Sequence, residues 1–376
     1  MMKKCLVVSD SFKGTLSSTE ICNIAKDVFA QRYPQCELVC IPMADGGEGT
    51  VDCFISAMNA HPIYLTVQGP YGNDTEVYYA RYDNCAIIEM ASAAGLPAVG
   101  GRKNPALTNT YGVGQIIAHA IASGCREILL GLGGSATNDG GCGCAAALGT
   151  IFSDKNGTAF VPVGKTLNQI YHIDCSKTKS LLKDVHIRIM SDVTNPLFGK
   201  TGAAYVFAPQ KGADAEMVQM LDDGLKHLSK IIESELSVSV ANIPGAGAAG
   251  GMGAGCIAFL GGSISPGVDA ILDITGFDKA LEGADLVISG EGRVDSQSAH
   301  GKLISGVAAR TKQHDVPLIV IAGCIDQGAD ILYSMGVTAM FTTNRSCLPF
   351  ENLKVRAGAD YKAVLKDVLH TVELHM

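Results

Sequence analysis

Seven short segments of the chain combine clustered glycines with acidic, amide, hydroxyl or lysine side chains. They are DSFKG (10–14), ADGGEGT (44–50), GLGGSATNDGG (131–141), SDVTNPLFG (191–199), PQKGA (209–213), GAGAAGGMGAG (245–255) and SGEGRVDSQSAHGK (289–302). Glycine removes side-chain bulk and permits φ > 0, so backbone N–H groups can be aimed at a ligand. Carboxylates and lysines beside such loops are the parts that handle phosphate and a metal ion. Five of the seven (10–14, 44–50, 131–141, 191–199 and 289–302) follow short apolar runs that read as strands. That placement constrains the fold, because α/β proteins gather their ligand loops at strand C-terminal ends.

The elements between the loops support this class. Residues 3–9 end an apolar run in Ser9-Asp10, a buried strand. Ser17-Ser-Thr-Glu20 fits a capping box, and Ile21, Ile24, Ala25, Val28 and Phe29 follow at helical spacing until Pro34. ELVCIP (37–42) is a second strand. Over 62–90, YLTVQ and EVYYARY flank a Gly-Pro-Tyr-Gly-Asn-Asp turn signal, which predicts antiparallel structure and an insertion, and CAIIEMA adds a further strand. Val113, Ile116, Ile117, Ala120 and Ile121 mark a helix, followed by strands EILLGL and HIRIMSD. From about residue 284 a simple α/β rhythm returns with ADLVISGEG, PLIVIAG, VTAMFTT and a last helix bearing Val364, Leu365, Val368 and Leu369. The expected architecture is α/β. A Rossmann-like discontinuous domain is built from 1–65 plus 284–376, and a second α/β domain, 66–283, is inserted into it, with the active-site cleft between them.

Composition narrows the function. The chain has 376 residues, enough for two or three domains, and 44 glycines, well above the usual ~7%. A formal net charge of −8 without a basic run argues against nucleic acid or an anionic membrane as partner. The 13 cysteines are odd in number and sit largely in apolar runs, the pattern of reduced core thiols. Cys142-Gly-Cys144 has no second pair at zinc spacing. The N-terminus lacks a signal-peptide pattern and no long apolar run follows, so a soluble, cytoplasmic protein is expected.

The loops differ in the chemistry they offer. A Walker A loop is absent, since the glycine required before Gly164-Lys165-Thr166 and Gly199-Lys200-Thr201 is Ala159 and Thr194. Gly245, Gly247 and Gly250 match GxGxxG, but Pro244 before them and Gly251, Gly253 and Gly255 after them fit a helix start poorly. A glycine-rich anion loop and close backbone packing are the other readings of that segment. Ser135, Thr137, Asn138 and Asp139, between glycine pairs, read as phosphate or hydroxyl contacts or as a polar turn capping the next helix. Asp192 at a strand end can take a proton from an alcohol or bind Mg²⁺, or form an Asx turn. Glu291 and Asp295, also read as following a strand, are candidate metal or hydroxyl contacts. Ser11 and Lys13 precede a helix N-terminus, a ready anion site, and Lys302 is a further candidate for phosphate.

Taken together, DSFKG, PMADGGEGT, GLGGSATNDGG, SDVTNPLFG, PQKGA, PGAGAAGGMG and GEGRVDSQSAHGK resemble the type I glycerate kinase family from Val8 to about Gly323. The resemblance implies ATP-dependent phosphorylation of D-glycerate, the (R) form, to 2-phosphoglycerate, as in glycerate, glycolate or sugar-acid breakdown. ATP, Mg²⁺ and D-glycerate are the partners it implies.

The chemistry of that reaction distributes roles over the loops. Lys13 with Gly46 and Gly47 suits the glycerate carboxylate, and Ser11, Glu48, Asn195 and Lys211 are further substrate contacts. Asp192 or Asp45 would accept the proton of the attacking hydroxyl. Gly133, Gly134, Ser135, Asn138 and Asp139, or Gly245, Gly247, Gly250 and Gly251, would hold ATP phosphates, with Glu291 or Asp295 on Mg²⁺. Two other classes stay open: an NAD(P)-dependent oxidoreductase acting on a small hydroxy acid, resting on GxGxxG, and a non-catalytic protein that binds a phosphate ligand.

Overall fold

The computed structural model describes residues 2–12, 14–43, 49–58, 60–265, 267–299 and 303–373. Backbone packing divides the chain into two compact units. One comprises Met1–Ala44, Ser56–Asn59 and Val268–Met376, and the other Asp45–Ile55 and Ala60–Gly267. Among the described residues no helix is long and apolar enough to cross a membrane. The strands in chain order are β1 (Lys4–Ser9), β2 (Glu37–Pro42), β3 (His61–Gln68), β4 (Asp74–Tyr82), β5 (Cys85–Glu89), β6 (Glu127–Gly131), β7 (Ile151–Ser153), β8 (Ala159–Phe160), β9 (His172–Asp174), β10 (His186–Met190), β11 (Ser263–Ser265), β12 (Leu286–Val294), β13 (Leu318–Ile325) and β14 (Val337–Thr342).

The first unit is a parallel five-stranded sheet in the order β14-β13-β12-β1-β2. Cys5, Val7, Leu286, Ile288, Ile319 and Ile321 face one core. Helix Ser18–Arg32 covers that face with Ile21, Ala25, Val28 and Phe29, and helix Phe350–Glu373 with Tyr361, Val364, Leu365, Val368 and Leu369. The capping box forms as the sequence predicts: Ser17 Oγ accepts from Glu20 N, and the Glu20 carboxylate accepts from Ser17 N at 2.8 Å. Because β1 has β2 on one side and β12 on the other, the strand order reverses between β1 and β12. Ligands of open α/β sheets bind at the C-terminal ends beside such a reversal.

The second unit holds a six-stranded sheet in the order β11-β10-β6-β5-β4-β3. Strands β5, β6, β10 and β11 are mutually parallel, while β3 and β4 pair antiparallel as the 62–90 pattern predicts. The register places Glu89 opposite Gly131, Gly131 opposite Met190 and Met190 opposite Ser265. Four parallel strands thus end at one edge. The α/β class with a discontinuous parallel unit and a second, inserted α/β unit is therefore the fold of this chain. A small antiparallel sheet, β8-β7-β9, and the long helix Ala215–Leu236 belong to the second unit and are not singled out by the sequence patterns above.

One placement differs from expectation. Glu291 does not follow a strand but lies inside β12, which runs on to Val294. The physical reason is continued pairing: β13 extends alongside, with Glu291 opposite Ala322 and Val294 opposite Ile325. Only Asp295 comes after the strand, and its Oδ1 accepts from Gln297 N at 2.8 Å to open the 3-10 turn Ser296–Ala299.

Candidate active site

In the second unit, the loops after β6 and β10 leave the aligned strand ends together. The first is fastened from several sides. Leu96 N donates to the Gly134 carbonyl at 2.9 Å, Ala136 N to the Ala94 carbonyl at 2.8 Å, and Thr108 Oγ1 to the Ala136 carbonyl at 2.8 Å. Asp139 is fully buried and accepts four hydrogen bonds, from Thr110 N and Oγ1 (both 2.8 Å) and from Gly141 N and Gly143 N (both 3.1 Å). A carboxylate has about four lone-pair sites, so these donors commit Asp139 to holding the loop and the start of helix Cys142–Ala147. Burial pushes its carboxyl upward while the hydrogen bonds oppose that shift.

Lys211 also fastens this loop. It ends the 3-10 turn Pro209–Lys211, and its Nζ donates to Ser135 Oγ at 2.7 Å and to the Thr137 carbonyl at 2.8 Å. Only 2% of its surface is exposed. Burial lowers its pKa to about 7, against the opposing pull of the Asp139 charge. Asn138 and Thr137 are also buried, and the Asn138 amide and Thr137 hydroxyl have no protein partner among the described residues.

The Gly245–Gly255 segment packs against this loop and against the loop after β10. Ala249, Gly250 and Gly251 all adopt left-handed backbone, and the helix that ends at Leu260 becomes regular only beyond them. A Cβ on Gly250 would lie 2.1 Å from the Thr137 carbonyl oxygen. Gly140 N donates to the Gly250 carbonyl at 3.1 Å, and Gly247 N to the Asn195 carbonyl at 3.0 Å. Close backbone packing therefore accounts for these glycines. No strand leads directly into Gly245, so the strand–turn–helix context that GxGxxG requires in a dinucleotide site is missing.

The loop after β10 carries Asp192 and Asn195. Asp192 is exposed, and its Oδ1 accepts from Gly267 N at 3.4 Å. Asn195 Nδ2 donates to the Thr201 carbonyl at 2.7 Å. Glu89, which the sequence reading does not select, ends β5 at the same edge and accepts from Val51 N at 2.8 Å. It thereby ties the first turn of helix Thr50–Met58 to that edge. Its signal was its position, the last residue of an apolar run like those before the other loops. Thr110 was equally legible only as the residue before a helix.

The first unit has its own polar group at the strand reversal. Asp10 N donates to the Gly290 carbonyl at 2.9 Å, Ser9 Oγ to the same carbonyl at 3.1 Å, and Ser11 N to Asp10 Oδ1 at 2.6 Å. Buried Glu291 accepts from Ser298 Oγ. Among the described residues no cluster of three or more His, Cys, Asp or Glu side chains could hold a metal ion. The structure thus gathers Gly133, Gly134, Ser135, Asn138, Asp139, Asn195, Lys211 and Gly245–Gly251 with Asp192 in one unit, and Ser11, Glu291 and Asp295 in the other. Lys13, Asp45, Gly46, Gly47, Glu48 and Lys302 lie outside the described residues.

A discontinuous parallel α/β unit, with a second α/β unit inserted into it, defines a two-unit α/β protein. The model of the glycerate kinase family matches residues 5–373, and the chain belongs to that family. It is 43% identical over 368 residues to a glycerate kinase of Bacillus cereus, covering 97% of each chain. It is 40% identical over 342 residues to a glycerate 2-kinase of Escherichia coli, covering 90% of each. A crystal structure of a protein described as glycerate kinase 2 from Salmonella typhimurium superposes with a TM-score of 0.87 at 36% identity, covering 100% of this chain and 99% of that one.

Lys211 gives a prediction of its own. Its folded pKa of about 7 lies below the ordinary lysine value of 10.5. Between the two, the unfolded chain holds a proton that the native protein does not, so stability rises with pH across that window. Below about pH 7 both states are protonated and the burial cost is fully present. The full swing is on the order of 5 kcal/mol. Denaturant unfolding from pH 6.5 to 9.5 should show wild type gaining stability relative to Lys211→Met as pH rises. Parallel curves for the two proteins would reject a buried, readily deprotonated amine.

Proposed function

We infer that this chain transfers the γ-phosphoryl group of ATP to D-glycerate, giving 2-phosphoglycerate. The observation that carries the reading is the family match over residues 5–373, joined to 40% identity with a glycerate 2-kinase over nine-tenths of both chains. The oxidoreductase alternative loses its only motif, because no strand leads directly into Gly245–Gly250, which turns left-handed where a helix should begin. A purely binding protein is not what the relatives are.

The roles follow from the chemistry. The hydroxyl of glycerate becomes a nucleophile as its proton leaves, and exposed Asp192 is the carboxylate assigned to receive it, with Asp45 as the second candidate. The nucleotide phosphates are assigned to Gly133, Gly134 and Ser135 rather than to Gly245–Gly251, whose glycines are already taken up in packing. Lys13, Gly46 and Gly47 are assigned the glycerate carboxylate, and Ser11, Glu48 and Asn195 are assigned further contacts to the substrate. Glu291 and Asp295 supply hard oxygen donors of the kind Mg²⁺ takes, and one or two carboxylates suffice when phosphates and water complete its shell. In phosphoryl transfer Mg²⁺ would neutralise charge on the phosphate oxygens.

Incubating the protein with ATP, Mg²⁺ and D-glycerate and following the mixture by ³¹P NMR tests the reading. The expected result is ADP formation with a new phosphomonoester assigned to the 2-position. A 3-phosphate would correct the regiochemistry, and absence of any glycerate-dependent product would overturn the function.

A further inference from the structure

The pairing of Lys211 with Ser135 is more costly than a structural crosslink needs to be. A lysine buried this deeply ordinarily sits against a carboxylate. Here its two hydrogen-bond partners are neutral oxygens, Ser135 Oγ at 2.7 Å and the Thr137 carbonyl at 2.8 Å. The nearby carboxylate, Asp139, is engaged by Thr110, Gly141 and Gly143 instead. A neutral amide side chain could bridge the same two oxygens without burying a charge. Holding the loop therefore does not by itself require a charge.

The direction of the hydrogen bond shows where that use lies. With Lys211 protonated, Ser135 Oγ is the acceptor, so its own O–H is left to donate. Among the described residues no protein group accepts it. Ser135 is 7% exposed, and the two residues before it, half-buried Gly133 and exposed Gly134, form the open part of the loop. The arrangement is a hydroxyl donor at the loop opening with a positive charge directly behind it, at the edge where four parallel strands end.

We propose that Ser135 donates a hydrogen bond to an oxyanion of the reacting ligands, and that Lys211 is a positioning residue that fixes the direction of this hydroxyl and supplies the countercharge. On the assignment above the oxyanion is a phosphate oxygen of the nucleotide, and the carboxylate of the hydroxy acid is the outcome the test separates from it. The phosphoryl-transfer reading supplies that choice of ligands, while the presence of an anion-binding hydroxyl stands on the geometry alone. The lowered pKa of Lys211 adds a signature. As pH rises through about 7, the amine loses its charge and Ser135 can turn its proton toward it, so oxyanion binding weakens. Asp139 is the charged group acting on Lys211, and Lys103, whose Nζ reaches the Gln210 carbonyl, is the ionisable side chain of the adjoining segment.

Steady-state kinetics of Ser135→Ala and Lys211→Met, with ATP and D-glycerate varied separately, provide the test, together with calorimetric titration of wild type and Ser135→Ala with ATP alone and with inorganic phosphate. A hydrogen bond to a charged group corresponds to roughly a tenfold to hundredfold loss. A loss of that size in the ATP arm places the oxyanion on the nucleotide, and one in the glycerate arm places it on the acid. Lys211→Met should also lose the inflection near pH 7 in the affinity of the affected ligand, which a merely structural lysine would not produce. Ser135→Ala keeps the proposal testable if Lys211→Met does not fold. Values for Ser135→Ala within twofold of wild type in kcat and both KM values would overturn it. If wild type failed to phosphorylate glycerate yet bound phosphate or ATP through Ser135, the functional reading would fall and this one would stand.

Discussion

Gly250→Ala is expected to cost on the order of 4 kcal/mol of stability and to abolish activity with it. Two effects add. The residue sits at φ 68°, where an L side chain is disfavoured by about 1–2 kcal/mol. The new methyl would also lie 2.1 Å from the Thr137 carbonyl oxygen and 2.6 Å from Asn138 Cα. Both are backbone atoms, so relief requires moving the loop itself. That loop is fastened through Leu96, Ala94, Thr108, Thr110 and Lys211, and a shift that accommodates the methyl must break some of these bonds.

The neighbouring Ala249→Gly is the control. Ala249 is already left-handed at φ 54°, so glycine there relieves strain with little loss of packing and should leave stability equal or up to ~1 kcal/mol higher. Guanidinium unfolding of the two variants beside wild type gives the comparison. A Gly250→Ala midpoint equal to that of wild type would mean the close approach of the two loops is wrong.

This contact also shows what the sequence could and could not disclose. Strands and helices with a clean period were legible: β1, β2 and the capped helix Ser18–Arg32 emerge with nearly the expected ends. So were the strand-end positions of 131–141 and 191–199. The purpose of the glycines at 245–255 was not legible, because a glycine that admits a ligand and one that admits another backbone leave the same mark in a sequence. Pro244 and the excess of glycines after the motif argued only against a helix start and left an anion loop and close packing both open. Asp139 illustrates the same limit. Its side chain is spent on Thr110, Gly141 and Gly143, and Thr110 is nearly thirty residues away, a partner that no local pattern can supply. Glu291 was misplaced because a Gly-Glu-Gly triplet resembles a loop, while pairing with β13 keeps it in a strand. The Ser135–Lys211 bond joins two motifs that were read separately and that only the fold brings together.

Asp192→Asn should lower kcat by roughly 10²–10⁴ if this carboxylate takes the proton of the attacking hydroxyl. The change is nearly isosteric and removes the negative charge, and with it the capacity to accept that proton. Asp192 is exposed, and its Oδ1 accepts a 3.4 Å hydrogen bond from Gly267 N that an amide oxygen can equally accept. Unfolding midpoints should therefore match wild type, in contrast to Gly250→Ala, where activity and stability fall together. The KM values separate two roles for the residue. A general base leaves the affinities for glycerate and ATP close to wild type while kcat drops, because the stabilisation appears only as the proton moves. A residue that simply binds glycerate raises its KM with kcat preserved. Near-normal turnover in a folded Asp192→Asn protein would remove it from the mechanism and shift the assignment to Asp45, for which Asp45→Asn makes the matching measurement.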